Sequence, residues 1–228
     1  MGVVIQHPAT ADRPMATTVP HGRMIDAAAC AAAPLVTVPF PFLVVPGFLP
    51  PEAATAAAAS FPARDLPGVL PAPGQSPATA FGDLLTELRS ERTTRMFGEK
   101  FGLQLSTDTL MITLRARTRP TDGRIHTDTA SKVVTALIYL NGDWSQPGGR
   151  LRLLRGPDDI DDMIAEVPPL AGTLLAFRRT DNSWHGHQPF DGVRRAIMLN
   201  WMVDAAAARR ELRKHALSAR IKRLFSVA

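Results

Sequence analysis

Two stretches carry side chains able to bind one metal ion between them: Arg124-Ile125-His126-Thr127-Asp128 and, much later, Trp184-His185-Gly186-His187-Gln188-Pro189. On an extended strand successive side chains alternate faces, so His126 and Asp128 would project to the same side. A histidine from the second stretch, brought alongside by folding, would complete two imidazoles and one carboxylate on one face of an octahedron. That donor set suits ferrous iron and leaves coordination positions open. His185 and His187 are themselves two apart, so strand parity does not choose between them. A His-x-Asp pair alone is weak evidence, because a structural histidine paired with an aspartate has the same spacing.

Such a site needs strands to hold it. Strand-like runs are expected over residues 109–117, 132–141, 150–154, 173–177 and 194–203, with turn residues between them at Asn141-Gly142, Pro147-Gly148-Gly149 and Asp191-Gly192. That rhythm predicts a closed or two-sheet antiparallel fold of jelly-roll type, mainly β with supporting helices. Ahead of it, residues 39–49 read as a short strand and turn, and Pro50-Pro51-Glu52 opens an alanine-rich helix to about residue 60. Residues 62–79 read as loop. Phe81, Leu84, Leu85, Leu88, Met96 and Phe97 then recur at helical spacing, which predicts one support helix over 79–97. The expected organisation is a flexible segment over 1–35, a β domain with its support helices over 36–204, and a basic helix over 205–228.

At 228 residues and 45% apolar composition, one domain with a sizeable core is expected. Cys30 is the single cysteine, which excludes an intrachain disulfide and a cysteine-rich zinc site and fits a reducing, cytoplasmic setting. The apolar stretch 27–49 is broken by Pro34, Pro39, Pro41 and Pro46, so neither a signal peptide nor a membrane span is expected. The formal charge of +5 is a property of the tail, where seven Lys or Arg stand against Glu211 alone between Arg209 and Arg223. Nucleic acid is therefore an unlikely partner for the body of the chain. The acidic run Asp158-Asp159-Ile160-Asp161-Asp162 lacks the spacing of an EF-hand and reads as an exposed turn.

Following His126 and Asp128 come Ile138-Tyr139-Leu140-Asn141-Gly142-Asp143-Trp144, Gly148-Gly149-Arg150-Leu151-Arg152-Leu153, Pro169-Leu170-Ala171-Gly172-Thr173-Leu174-Leu175-Ala176-Phe177, His185 to Pro189, and Arg194. This series resembles the Fe(II)- and 2-oxoglutarate-dependent dioxygenases of the prolyl-4-hydroxylase-like branch, over about residues 110–203. The opening Pro41-Phe42-Leu43-Val44-Val45-Pro46-Gly47-Phe48-Leu49-Pro50 is similar to the family's N-terminal strand and helix start. The resemblance implies a double-stranded β-helix of cupin-like form, with iron held by His126, Asp128 and a distal histidine. In the family that histidine precedes a proline by four residues and a basic anchor by nine or ten, which favours His185, with Pro189 and Arg194 or Arg195 at those distances. His187 would then be a supporting or substrate-facing residue. The run Arg194-Arg195-Ala196-Ile197 selects Arg194 as the anchor of the cosubstrate carboxylate, a role suited to a planar two-pronged donor, and leaves Arg195 facing solvent. Tyr139, the single tyrosine, would by the same likeness touch the cosubstrate, and Leu151 would line its pocket.

The implied activity is hydroxylation of an unactivated C–H bond with Fe(II), 2-oxoglutarate and O2, releasing succinate and CO2, with ascorbate as an admissible reductant. Asp128 argues against halogenation, for which relatives vacate that ligand position. Residues before His126 lack the aromatics common in relatives that act on peptidyl-proline, so a small-molecule or amino-acid-like substrate is expected. Arg115, Arg117 and Arg119 recur at period two; if their shared face looks into the barrel, the substrate is anionic, and otherwise they pair with the acidic turn. The competing reading is a non-catalytic cupin-like binding module, or a nucleic-acid contact through the tail. A homo-oligomer is compatible with either.

Overall fold

In a computed structural model, residues 3–4, 23–62, 68–75 and 78–225 are described, with side chains from 23 to 218 within those ranges. The elements in order are β1 (Val3–Val4), α1 (Ala27–Ala32), β2 (Phe42–Val45), α2 (Pro51–Ala59), β3 (Val69–Pro71), α3 (Ala80–Leu88), α4 (Glu91–Phe101), a 3-10 turn (Thr107–Thr109), β4 (Leu110–Thr118), β5 (Lys132–Tyr139), β6 (Leu151–Leu154), β7 (Met163–Val167), β8 (Leu174–Arg178), β9 (His185–Gly186), β10 (Gly192–Met202) and α5 (Ala205–Phe225). All five alternating runs from 109 to 203 are strands. Strands β3, β9 and β7 were not expected: β3 is three residues inside the stretch read as loop over 62–79, β9 has only two residues, and at β7 the acidic turn masks a short run whose burial starts only at Ala165.

The strands form two sheets. The larger has the order β2-β8-β5-β10-β4-β3 with antiparallel neighbours, and the smaller the order β1-β7-β6-β9. Strand alternation divides the large sheet's side chains between two cores. Ile112, Leu114, Val134, Ala136, Ile138, Ile197, Leu199 and Trp201 pack toward the helices, meeting Phe81, Leu84, Leu85, Leu88 and Phe97. Leu137, Tyr139, Leu175, Phe177 and Ala196 face the small sheet and meet Leu151, Leu153, Ala165 and Val167. Both faces of the central strands are therefore covered, which is why those strands are largely apolar, with polar residues at the inner-face positions Thr113, Arg115, Thr135, Arg194 and Asn200. Two facing sheets with helices on the outside make the expected double-stranded β-helix.

The single support helix expected over 79–97 is two. α3 starts at Thr79, whose hydroxyl accepts from Gly82 N at 3.2 Å, and α4 restarts at Ser90, whose hydroxyl accepts from Thr93 N at 3.2 Å. A serine able to cap a new helix broke a hydrophobic repeat that looked continuous. α4 runs on to Phe101 and ends at Gly102, where φ is +63°. Part of the lead-in expected to be flexible is also folded: Asp26 caps α1 by accepting from Ala29 N at 2.9 Å, and Ile25 and Cys30 are buried in the helix-side core. Residues 5–22 of that lead-in lie outside the described residues.

At the other end, Asp204 caps α5 by accepting from Ala207 N at 2.7 Å. Ala207 and Ala208 are buried with Met111 and Met202, and Leu212 packs on them. The basic tail thus lays an apolar stripe on the β3–β4 side of the large sheet. Among the described residues no helix is long and apolar enough to cross a membrane.

Candidate metal centre

His126 and His185 form an isolated antiparallel bridge in which each backbone N–H donates to the other's carbonyl, both at 3.0 Å. Residues paired in this way project to the same face. Their rings lie with centroids 4.3 Å apart. Asp128, two residues beyond His126, comes to that face as well. One ligand atom from each of His126, Asp128 and His185 lies within 4.8 Å of the others, so the three could hold a metal ion. His126 is exposed, whereas Asp128 and His185 are buried, so the group opens toward solvent on one side.

The chain's own hydrogen bonds orient each donor. Nδ1 of His126 contacts the carbonyl of Arg124 at 2.7 Å, and Nδ1 of His185 contacts that of Ser183 at 2.9 Å. A carbonyl only accepts, so both Nδ1 atoms carry the proton and both Nε2 lone pairs are free for a metal. Burial pushes the His185 imidazolium down to about 4; Asp128 opposes this and His126 reinforces it, so the ring is neutral at neutral pH. Burial would raise the Asp128 carboxyl, but Lys132, His185 and two side-chain hydrogen bonds outweigh it and leave its pKa below the usual value. Those bonds come from Lys132 Nζ at 2.7 Å and Thr135 Oγ1 at 2.5 Å. Thr135 also lies 3.1 Å from Asn200 Oδ1; with one proton to give, it donates along the shorter contact, to Asp128. Lys132, Thr135 and Asn200 carried no signal in the sequence beyond their places on strands.

Beside this group lies a cavity of about 230 Å³. Leu151, Arg194 and His187 line it. Arg194 is 3% exposed; its Nε donates to the carbonyl of Gly149 at 2.6 Å, and its Nη2 to the Tyr139 hydroxyl at 3.4 Å. Tyr139 is fully buried and is not part of the cavity wall, so it reaches the cavity through Arg194. Gly149 has φ of +74°, and a Cβ there would lie 2.8 Å from the Trp144 ring, which explains a glycine where the backbone meets Arg194. Arg195 points to the opposite face. It was expected in solvent, but its Nη1 donates to the Ala58 carbonyl at 3.3 Å and its guanidinium lies 5.8 Å from the centroid of Phe61, because the helices cover that face.

His187 stands apart from the three-residue group. Its ring lies against Gly123, where a Cβ would come within 2.3 Å of the imidazole, and its backbone N–H donates to the Gly123 carbonyl at 2.9 Å, while its Nδ1 contacts the Gln188 carbonyl at 2.8 Å. Burial, reinforced by the charge of Arg194, pushes its pKa down to about 4. The three arginines expected to share a face separate. Arg115 lines the cavity and pairs with Asp122 at 3.0 Å; Arg117 pairs with Asp191 at 3.2 Å on the exposed side; Arg119 lies past the strand's end. The acidic turn is not their partner, since Asp161 pairs with Arg152 and Asp162 with Arg155. Two further residues of the cavity wall escaped the sequence reading: Thr113, which looks like an ordinary strand threonine, and His215, which is hidden in a basic tail.

The sequence model described as "2OG-Fe(II) oxygenase superfamily" matches residues 113–203, which include His126, Asp128, His185 and Arg194. No curated protein sequence matches the chain. Among solved structures, a prolyl-4-hydroxylase from Pseudomonas putida is similar at 23% identity, with 77% of this chain and 93% of that chain covered and a TM-score of 0.55. A prolyl 4-hydroxylase from Phytophthora capsici is similar at 18% identity, with 78% and 62% covered and a TM-score of 0.49. Residues 113–203 thus match the 2OG-Fe(II) oxygenase superfamily, and the chain has the fold of the Pseudomonas putida prolyl-4-hydroxylase.

Proposed function

We propose that the protein is a 2OG-Fe(II) oxygenase that hydroxylates an unactivated C–H bond of a small-molecule or amino-acid-like substrate, at a centre held by His126, Asp128 and His185. One atom of O2 would enter the substrate and the other the succinate formed, with CO2, from 2-oxoglutarate. The observation that carries the reading is the pair of backbone-anchored Nδ1 atoms: both imidazoles present a free Nε2 beside an ionised, hydrogen-bonded carboxylate. That donor set fits ferrous iron. Iron bound there with 2-oxoglutarate supplies the oxidising chemistry.

The remaining roles belong to the chain. Thr135 and Lys132 keep Asp128 ionised and fix its orientation. Arg194 offers a buried guanidinium to the distal carboxylate of 2-oxoglutarate, held in place by the Gly149 carbonyl and the Tyr139 hydroxyl. Leu151 supplies an apolar wall. The alternative, a binding module with a decayed site, predicts the loss of at least one of His126, Asp128, His185 and Arg194, and all are present. The Pseudomonas putida protein is named as a prolyl-4-hydroxylase. For this chain we favour a smaller substrate, because the cavity lies below the usual ~300 Å³ lower end for ligand pockets and α5 contributes to its wall.

The test is an anaerobic titration of the metal-free protein with Fe(II) and 2-oxoglutarate, following the weak visible charge-transfer band of the chelate. The wild type and His187→Ala should give the band and His185→Ala should not. A folded wild type without a band would sink the proposal.

A further inference from the structure

The wall of the cavity on β4 holds a donor without a partner. Thr113 is 1% exposed, its Oγ1 makes no hydrogen bond, and it lines the cavity. A buried hydroxyl left unsatisfied is costly, and one that faces a cavity marks a position that a ligand can satisfy. The strand register places it. Across the inner face of the large sheet, Arg115 pairs with Ala196 and Ala196 with Tyr139, next to the Arg194 end. Met111 pairs with Asn200 and Asn200 with Thr135, at the Asp128 end. Thr113, paired with Met198 and through it with Leu137, lies in the row between, flanked by apolar side chains.

Charge gives the ligand's sign. The charged residues of the wall are Arg115, Lys132 and Arg194 against the single carboxylate of Asp128. Lys132 is committed to Asp128 and Arg194 to the cosubstrate anchor, whereas Arg115, which also lines the cavity, uses Nη1 on Asp122 and has further guanidinium donors. Thr113 and Arg115 are two residues apart on one strand and so share a face, within reach of one carboxylate. Val69 of β3, Met111 and His215 of α5 also line the cavity. His215 lies outside the superfamily match, so the sequence beyond that match helps shape the cavity.

We propose that the β4 wall, Thr113 with Arg115, is a carboxylate subsite for the primary substrate, with His215 and Val69 closing it around a short apolar chain. The substrate class is a small free carboxylic acid, which includes free amino acids and excludes peptides joined through that carboxyl group. This inference rests on the oxygenase reading above, because it supplies the specificity of the same site.

The test separates substrate from cosubstrate. Wild type, Thr113→Val and Thr113→Ser are loaded anaerobically with Fe(II), and the chelate band is titrated with 2-oxoglutarate. The same proteins are then assayed in air for 2-oxoglutarate consumption in the presence of free amino acids and short monocarboxylic acids, each beside its primary amide. The expected result is acceleration by an acid and not by its amide. Thr113→Val should raise the KM for that acid roughly tenfold, the worth of a hydrogen bond to a charged group, and Thr113→Ser should restore it. The band should titrate alike in all three. Acceleration by amides as strongly as by acids, or by no acid at all, overturns the subsite. Weakening of the band in Thr113→Val assigns the hydroxyl to 2-oxoglutarate and also overturns it. A wild type with no band overturns the oxygenase reading itself and the subsite with it.

Discussion

His126 and His185 exchange both backbone hydrogen bonds, and this mutual pairing sets the distance between their rings. Directly after His185, Gly186 has no room for a side chain: a Cβ would sit 2.8 Å from the Gly123 carbonyl oxygen and 3.3 Å from Ile125 Cα. Gly186→Ala would push β9 away from the segment that carries His126 and misalign the two Nε2 atoms. Supporting residues of a metal site are commonly worth about 10- to 100-fold in metal affinity, so a loss in that range is expected while the protein stays folded. Fe(II) titration beside a circular dichroism melt tests this. An alanine variant with unchanged iron affinity would remove the bridge from the account of the site.

Thr135 holds Asp128 at 2.5 Å, both side chains being buried in the wall of the cavity. Thr135→Val keeps the branched shape and removes the hydroxyl. The carboxylate then keeps Lys132 but loses its fixed orientation. About a tenfold drop in Fe(II) affinity is expected, with a stability cost of about 1–3 kcal/mol for the bond lost to a charged group. Urea melts of the metal-free protein read the second quantity independently of the first.

Arg194 and Tyr139 should differ in kind. Arg194→Lys loses the planar fork, so the KM for 2-oxoglutarate should rise by about 10-fold or more. Tyr139→Phe removes only the acceptor of a 3.4 Å contact on the far side of the guanidinium, so its effect on that KM should be a few-fold at most, about 1 kcal/mol or less. If Tyr139→Phe were the more damaging, the tyrosine would have to contact the cosubstrate directly.

Most of the large sheet and the helix that opens at Pro51 were legible, because each rests on strand or helix period and on local residue chemistry. Period also put Arg194 and Arg195 on opposite faces, but the choice between them came from likeness, and the helices that cover Arg195 were not foreseen. The choice of His185 over His187 came from likeness; in space it agrees with the bridge to His126, which no local spacing encodes. What the sequence concealed depends on long-range contacts. Thr113 is an ordinary strand residue until Met198 and Leu137 are known to lie beside it. His215 read as part of a charged tail until α5 docked through Ala207 and Ala208. The break at Ser90 was hidden because the flanking hydrophobic repeats happen to stay in phase with a single helix.

The two depressed imidazoles give the metal-free protein an acid sensitivity whose sign is fixed. His185 and His187 are buried and neutral, each with a folded-state pKa of about 4 against an ordinary 6.5. Below 6.5 the unfolded chain takes up protons that the folded chain refuses. Stability from these groups is therefore complete above pH 6.5 and lost as pH falls toward 4, by about 3 kcal/mol per imidazole at most. Urea melts at steps between pH 7 and pH 4 should show this slope, and His187→Phe, which keeps a flat ring against Gly123, should remove about half of it. A metal-free protein equally stable at both ends would mean that one or both rings are solvated when folded. In that case the close packing of His187 on Gly123 could not be what holds the segment before His126 in place.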